Sequence, residues 1–156
     1  MARPAVLADC PAMARIYNQG IEDRVATFET GARSREDVEK WFDGIHPIVV
    51  VEENGVIAFA ATSLYRPREC YAGIAECSVY VERESRGRGA GGAALVALHE
   101  AARSAGFHKL VSRVFPENLA SLKLLDALGW RRAGWYVRHG QLDGVWRDVV
   151  IVEKLL

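Results

Sequence analysis

Cysteine is scarce in this chain of 156 residues, which contains only Cys10, Cys70 and Cys77. An odd number without C-x-x-C spacing argues against a disulfide framework or a structural zinc site, and it favours a reducing compartment. Long apolar runs are also absent, because no stretch approaches the ~20 residues that a membrane-spanning helix needs. The amino terminus reaches Asp9 too early for a signal peptide. We therefore expect a cytoplasmic protein without a membrane partner.

The chain has no excess of charge of either sign, because twenty Lys and Arg residues balance twenty Asp and Glu residues. Binding to nucleic acid needs surplus cations that neutralise phosphates, so no nucleic-acid partner is expected. Lysine is rare: the cations are sixteen arginines and four lysines, a bias for which genome composition is the simplest explanation. Because 50% of the residues are apolar, the chain can bury its own core, and we predict a single domain over residues 1–156.

Apolar periodicity and turn residues predict a mixed α/β fold. Asp9 begins a first helix that ends near Gly20, and Ser34 begins a second one, near 35–44, through a capping box. Asn54-Gly55 predicts a hairpin turn. The predicted strands cover residues 2–7, 47–52, 56–64, 74–81, 110–115, 130–137 and 145–154. The resulting order, β-α-α-β-β-β-α-β-α-β-β, indicates one sheet with helices on both faces.

A glycine-rich turn, Arg86-Gly87-Arg88-Gly89-Ala90-Gly91-Gly92, joins the strand at 74–81 to a long Ala/Leu helix. Glycines let the backbone approach an anion closely, and the free N–H groups of a helix N-terminus point at it, so this turn is suited to phosphate. A Walker A loop does not fit, because Gly91-Gly92-Ala93 supplies neither its Lys nor its hydroxyl. The letters of a dinucleotide fingerprint do fit, but the turn lies mid-chain and the acidic residue expected about 20 positions later is missing.

The turn resembles the pyrophosphate loop of the GCN5-related N-acetyltransferases (GNAT), which has the pattern Q/R-x-x-G-x-G/A. Asn118-x-x-Ser121 followed by Gly129-Trp130 resembles a second element of that superfamily, and the order of elements also fits. The resemblance implies a GNAT fold, with a mixed, mostly antiparallel sheet of about seven strands splayed at the cofactor site and about four helices on both faces. It also implies acetyl-CoA as the acetyl donor and no metal. The residues that it assigns to acetyl-CoA are Val79, Tyr80, Val81, Arg86, Gly87, Arg88, Gly89, Ala90, Gly91, Gly92, Asn118 and Ser121.

Longer segments resemble one group of that superfamily, the phosphinothricin acetyltransferases. The segments are residues 16–21, 26–30, 65–71, 76–81 and the ending Gly144-x-Trp146-x-Asp148, so the resemblance runs nearly end to end. This group acetylates the α-amino group of small amino acids such as phosphinothricin and methionine sulfoximine, and arsinothricin is another substrate of this type. The resemblance therefore implies a role in detoxification or resistance. Members of the group are commonly dimers, which implies a homodimer here.

The resemblance also implies an acceptor site around Glu76. A protonated amine cannot attack a thioester, so a base must take a proton, and Glu76 lies on an otherwise apolar strand just before the expected splay. In the group, an Arg at the position of Arg68 holds the substrate carboxylate, and Arg66 would offer a second cationic fork. Phe28 and Tyr71 would complete the set of substrate-binding residues. A structural ion pair of Glu76 with Arg66 or Arg68 is compatible with this interpretation.

Two positions depart from the pattern of the group. Leu125 stands where many superfamily members have a Tyr that protonates the leaving thiolate, so a nearby Tyr or water must do this, or the thiolate leaves unassisted. Leu142 replaces a Lys that is common in the group, and we interpret the neighbouring His139 as a surface histidine. None of the remaining histidines has the spacing of metal ligands.

Other functions are compatible with the sequence. A protein N-terminus, a polyamine or an aminoglycoside are alternative acceptors, although a polycationic acceptor would favour an acidic pocket and Arg66 and Arg68 precede Glu76. A catalytically silent acyl-CoA-binding module is a further alternative, against which the presence of Glu76 argues. No cysteine accompanies a histidine in a convincing acyl-enzyme pair, so we expect direct transfer within a ternary complex.

Overall fold

A seven-stranded sheet flanked by four helices forms the protein. In the computed structural model, which describes residues 1–156, the strands are β1 (Ala2–Pro4), β2 (Ile48–Glu52), β3 (Val56–Leu64), β4 (Ile74–Val81), β5 (Lys109–Val114), β6 (Arg131–Leu142) and β7 (Val145–Leu155). The helices are α1 (Cys10–Asp23), α2 (Arg35–Glu39), α3 (Ala90–Ser104) and α4 (Leu119–Ala127). The strand order is β1-β2-β3-β4-β5-β7-β6, and every neighbouring pair is antiparallel except β4 and β5. The predicted fold class is confirmed.

Two local signals in the sequence, a hairpin turn and a helix start, lie where they are predicted. Asn54 and Gly55 join β2 to β3 with positive φ angles of 54° and 112°, which a tight hairpin turn requires. Ser34 accepts the backbone N–H of Asp37 at 3.1 Å, and the Asp37 carboxylate accepts the backbone N–H of Ser34 at 2.9 Å. This capping box starts α2, which ends at Glu39, five residues before the expected boundary near Gly44.

Helix α1 is longer than predicted, because Gly20 does not end it. The helix continues to Asp23, and a Cβ at Gly20 would lie only 3.0 Å from two ring carbons of Tyr80. This glycine therefore permits close packing of the helix against β4. The next residue, Arg24, terminates the helix, because its φ of 58° lies in the left-handed region. Its guanidinium donates to the Ile21 carbonyl at 2.7 Å.

The lengths of β1 and β6 also differ from the predictions. β1 ends at Pro4, because the Asp9 carboxylate accepts the N–H of Val6 at 2.8 Å and holds the chain in a short 3-10 turn before α1. β6 extends to Leu142, five residues beyond the predicted end at 137, because it pairs with β7 up to the connecting turn. In both cases a contact with another segment decides where the strand ends.

Both faces of the sheet are covered, as predicted. One face packs against α3 and α4 in a cluster that includes the fully buried Leu95, Leu98 and Leu110. The other face packs against α1 and α2 in a cluster that includes Met13 and Phe59. No helix combines the length and the apolar composition needed to cross a membrane.

The only parallel pair of strands is short and then splays. β4 pairs with β5 only over Ile74–Glu76, opposite Lys109–Val111. Beyond Glu76, β4 continues to pair with β3 up to Val81, whereas β5 continues to pair with β7 up to Val114. One edge of β4 is therefore left without a strand partner from residue 77 to residue 81. The expected splay is present, and it opens the sheet where the site lies.

Candidate active site

The glycine-rich turn leaves backbone N–H groups at the start of α3 without a hydrogen-bond partner in the helix. Gly87 and Gly89 have φ angles of +77° and +87°, which a residue with a side chain rarely adopts. The first hydrogen bond of α3 runs from the N–H of Ala93 to the Gly89 carbonyl at 3.1 Å, so the N–H groups before it have no partner within the helix. A Cβ at either glycine would meet no atom within 4 Å, which shows that the space beside the turn is open.

A cavity of 500 Å³ runs from this turn along the free edge of β4 to α4. All residues that the resemblance assigns to acetyl-CoA line it, with the exception of Arg88. The Arg88 guanidinium instead donates to Oγ of the buried Ser85 at 3.1 Å. We call this cavity the donor groove.

An ion-pair network fixes the turn against the end of α1. Arg86 donates to the Asp23 carboxylate at 2.7 Å and to the Val81 carbonyl at 3.2 Å. Asp23 also accepts a hydrogen bond from Arg83 at 2.9 Å. Hydrogen bonds from Arg83 and Arg86 hold the pKa of Asp23 below its usual range, so the carboxylate stays ionised. Arg86 therefore lines the groove as a residue that is already held in place.

Asn118 combines a capping role with a position on the donor groove. Its side-chain oxygen accepts the N–H of Ser121 at 3.3 Å and so caps the start of α4. Its side-chain nitrogen donates to the Val25 carbonyl at 3.2 Å. The residue thus ties α4 to the segment after α1, and the groove passes between these two elements.

A second cavity, of 530 Å³, lies on the other side of the splay, and we call it the acceptor cavity. It shares Ala26 and Tyr80 with the donor groove, so the two cavities meet at β4. The volume is in the range of sites that enclose a small molecule. Its polar and charged lining residues are Tyr17, Thr27, Glu29, Ser63, Glu76, Ser78, Tyr80, Ser112, Arg113 and His139.

Glu76 lies in the acceptor cavity at the last paired position of β4. Its side chain is 22% exposed, and Oε1 accepts a hydrogen bond from Arg113 Nε at 2.6 Å. The predicted alternative partners Arg66 and Arg68 do not contact it. Sequence reasoning missed Arg113, although alternation along β5 places it on the same face as Val111, the residue opposite Glu76.

Phe28, to which the resemblance assigns a substrate-binding role, forms an apolar wall of the acceptor cavity. Its ring packs edge-to-face on Phe115 with the ring centroids 4.8 Å apart. The Arg147 guanidinium lies 4.4 Å from the centroid of the Phe115 ring. A Cβ at Gly140 would come within 2.8 Å of the Phe28 ring, so this glycine makes the position of the ring possible.

The other predicted substrate residues lie outside the lining of the acceptor cavity. Arg66 and Arg68 are exposed on the loop after β3. The Arg66 guanidinium lies 4.9 Å from the centroid of the Tyr65 ring, and that of Arg68 lies 5.9 Å from the centroid of the Tyr71 ring. Their role as anchors for the acceptor stays a prediction. His139, which we interpreted as a surface histidine, is exposed and also lines this cavity.

The junction of the two cavities contains Cys77 and Tyr80. Burial raises the pKa of Cys77 to about 12, so its thiol is not ionised and is a poor nucleophile. Burial likewise raises the pKa of Tyr80, which therefore remains a neutral phenol. Leu125 is buried at the same junction, where it cannot donate a proton.

Three comparisons with known proteins agree with this geometry. Residues 14–130 match the model of the acetyltransferase (GNAT) family. The chain is 32% identical to an L-methionine sulfoximine/L-methionine sulfone acetyltransferase of Pseudomonas paraeruginosa, over 97% of this chain and 91% of that protein. The crystal structure of the ribosomal-protein-alanine N-acetyltransferase from Brucella melitensis has a TM-score of 0.95 at 31% identity, over 100% of this chain and 99% of the other. A phosphinothricin acetyltransferase from Sinorhizobium meliloti, solved with acetyl-CoA, has a TM-score of 0.92 at 31% identity, over 100% of this chain and 88% of the other.

Proposed function

Because the chain belongs to the acetyltransferase (GNAT) family, whose members use acetyl-CoA, we propose that it acetylates the α-amino group of a small anionic amino acid. The proposed acceptors are glutamate analogues of the phosphinothricin, methionine sulfoximine or arsinothricin type. The observation that carries the proposal is the meeting of the donor groove and the acceptor cavity at the splay, with Glu76 on the acceptor side. The names of two relatives, a methionine sulfoximine acetyltransferase and a phosphinothricin acetyltransferase, support it.

The donor groove fits the chemistry of acetyl-CoA. The free N–H groups at the start of α3, together with the positive end of the helix dipole, would hold the pyrophosphate beside the glycine-rich turn. The unpaired edge of β4 from Val79 to Val81 would hydrogen-bond to the pantetheine arm. Bound in this way, acetyl-CoA supplies the thioester for transfer. Asn118 and Ser121 would contact it from α4.

Glu76 is the residue that we assign as general base. An amino acid arrives with its α-amino group protonated, and this group cannot attack before it loses a proton. Oε1 of Glu76 is held by Arg113, which orients the carboxylate and leaves Oε2 to accept the proton directly or through a water molecule. The neutral amine can then attack the thioester carbonyl at the junction of the two cavities.

Transfer is direct in this proposal, without an acetylated enzyme. Cys77 is the cysteine at the junction, and its raised pKa keeps it from acting as a nucleophile. The leaving thiolate can depart unassisted because of its modest pKa, and it then takes up the proton that the amine nitrogen loses when the amide forms, directly or through water. Leu125 cannot donate a proton, and Tyr80, the tyrosine that lines both cavities, is a weaker acid than the thiol because burial raises its pKa.

The acceptor would lie between Glu76 and the Phe28 wall. Arg66, Arg68 and Tyr71 are proposed as further substrate residues on the basis of the resemblance alone. For Arg68 to hold the acceptor carboxylate, the loop after β3 has to bring its side chain to the cavity. Acetylation would remove the positive charge of the amino group, so the product no longer resembles glutamate. On this basis we also propose a role in detoxification and resistance.

We also propose that the enzyme is a cytoplasmic homodimer. β6 is an edge strand whose Trp135 and Val137 side chains are 56% and 71% exposed, and Trp146 on β7 is 55% exposed. A two-fold axis beside such an edge buries the same apolar surface of both copies. The three cysteines are free thiols, which suits a reducing compartment. Light scattering is expected to give twice the 17.2 kDa of one chain, and a monomer would contradict the dimer.

A thiol-release assay with acetyl-CoA tests the proposed activity. The acceptors are phosphinothricin, methionine sulfoximine, ordinary amino acids, spermidine, an aminoglycoside and a peptide with an N-terminal alanine. We expect turnover of the first two. Turnover of only the cationic amines would refute the assignment of the acceptor cavity, and turnover of only the peptide would make the protein an N-terminal acetyltransferase.

A further inference from the structure

We propose that His139 forms the far end of the acceptor site and binds an oxygen at the end of the acceptor's side chain. This inference rests on the proposed function, because it assumes an amino acid whose amine lies at Glu76. It selects acceptors with a phosphinate, sulfone, sulfoximine or carboxylate terminus over acceptors with an apolar one. A bulge in β6 shapes the backbone at His139, the side chain lines the acceptor cavity, and the carboxylates and the arginine there are paired with one another or with other residues of the chain.

The backbone around His139 is shaped by a bulge in β6. Tyr136 pairs with Val149 and Gly140 pairs with Arg147, so three residues of β6 lie opposite the single residue Asp148 of β7. Within the bulge, Arg138 has a φ of +49°, which a residue with a side chain seldom adopts. Bulges of this kind redirect side chains, and they are frequent beside functional sites.

Asp148 holds the bulge in place. Its Oδ1 accepts the backbone N–H of Arg138 at 2.8 Å, and its Oδ2 accepts Trp135 Nε1 at 2.8 Å. Phe28 packs directly against Gly140 on the other side of His139. The bulge is therefore a defined conformation fixed from both sides, and it is not a loose end of the strand.

The bulge places His139 on the acceptor cavity, which Glu76 also lines. β6 is separated from β4 by β5 and β7, and three interstrand spacings amount to about 14 Å across the sheet. The two residues are also offset along the strands, because Glu76 is level with Val111 and Glu153, whereas His139 lies in the bulge opposite Asp148. The two side chains therefore line the same 530 Å³ cavity from well-separated strands.

His139 is free to bind a ligand, whereas the carboxylates and the arginine that line the cavity are paired within the chain. Glu76 is paired with Arg113, and Glu29 accepts a hydrogen bond from Arg33 at 2.6 Å. The His139 ring only packs on Tyr136, with 4.6 Å between the ring centroids. An imidazole donates at least one N–H in either protonation state, so it suits an oxygen acceptor.

The geometry decides which oxygen of the acceptor His139 can reach. In an α-amino acid the carboxylate is attached to the same carbon as the amine, so it remains near Glu76. The end of the side chain is the part that extends across the cavity. His139 therefore contributes to the choice of side chain, and the α-carboxylate is left to groups near Glu76.

The test compares two acceptors of similar shape, methionine sulfone and methionine, which differ in the side-chain oxygens. For the wild type we expect kcat/KM to favour the sulfone. In His139→Leu this preference should fall on the order of ten-fold, through a higher KM for the sulfone, while the values for methionine stay unchanged. His139→Gln retains an N–H donor and should keep most of the preference. Gln141→Leu, an exposed position on the same strand, is the control and should behave as the wild type.

The outcomes separate this inference from the proposed function. If the wild type acetylates both amino acids and His139→Leu leaves their ratio unchanged, His139 does not bind the side chain. An equal loss of kcat for both acceptors in His139→Leu would also overturn the inference, because it would place the residue at the reacting amine. If the wild type acetylates phosphinothricin or methionine sulfoximine but neither of these two amino acids, this inference alone fails. If it acetylates none of the four, the proposed function fails and this inference fails with it.

Discussion

Gly140→Ala is the substitution for which the structure gives the sharpest expectation. A Cβ at this position would lie 2.8 Å from two carbons of the Phe28 ring and 3.2 Å from a third. Carbon atoms in contact are normally about 3.5–4.0 Å apart, so the ring has to move by about 1 Å. The Phe28 ring cannot move toward Phe115, because the centroids of the two rings are already 4.8 Å apart. The Arg147 guanidinium, 4.4 Å from the centroid of the Phe115 ring, in turn holds Phe115 in place. We therefore expect the Phe28 ring to shift into the acceptor cavity.

Two effects should follow from this shift. Overpacking of this kind costs about 1–3 kcal/mol of folding free energy, and a loss of that size lowers the Tm of a 156-residue protein by roughly 3–10 °C. A displacement of about 1 Å at the acceptor should lower kcat/KM for the amino acid at least about ten-fold. The KM of acetyl-CoA should not change, because neither residue lines the donor groove.

The measurements are a thermal melt and steady-state kinetics with each substrate varied in turn. Gly134→Ala is the matched control, because it lies on the same strand and a Cβ there would meet no atom within 4 Å. It should leave Tm and both KM values unchanged. If Gly140→Ala also behaves in this way, the Phe28 ring does not form a fixed wall of the acceptor cavity.

Two further predictions concern the donor groove and the core. Gly89→Ala places a side chain on a residue with a φ of +87°, which costs about 1–2 kcal/mol of conformational free energy. The turn should distort, and the affinity for acetyl-CoA, measured by calorimetry, should fall about ten-fold. Unchanged binding would show that the turn is not part of the donor site. His99 Nε2 accepts a hydrogen bond from Trp130 Nε1 at 3.2 Å, and burial lowers the pKa of His99 below its ordinary value of 6.5. As the pH falls below 6.5, the unfolded chain therefore binds a proton at this histidine before the folded chain does. Unfolding by urea should therefore show full stability above pH 6.5 and a loss as the pH falls below it, and His99→Gln should remove this part of the loss.

Local signals in the sequence predict much of the fold, because they depend on nearby residues. Asn54-Gly55 needs only its own backbone angles, and Ser34 needs only Asp37, three residues later. Gly20 misleads for the opposite reason. Glycine ends many helices, but here it lies inside α1 to accommodate the Tyr80 ring, which is 60 positions away in sequence. No pattern within α1 carries that information.

The donor groove is more predictable than the acceptor cavity for the same reason. The glycine-rich turn and the start of α3 form one continuous segment, so the motif alone indicates the groove. The acceptor cavity is assembled from segments that are distant in sequence. Arg113 reaches Glu76 through the parallel pairing of β4 and β5, and His139 reaches the cavity through a bulge that depends on Asp148. Arg66, predicted as a second cationic fork beside Arg68, lies on a loop outside the lining of this cavity.

Glu76→Gln tests whether Glu76 takes the proton from an amino acid held next to the donor groove. The amide keeps the shape of the side chain and can still contact Arg113 through its oxygen, but it cannot serve as a base. With methionine sulfoximine or phosphinothricin as acceptor, we predict that kcat falls at least about 100-fold, as expected for loss of a general base. The Kd of acetyl-CoA, measured by calorimetry, should stay as in the wild type. A kcat equal to that of the wild type would contradict the account.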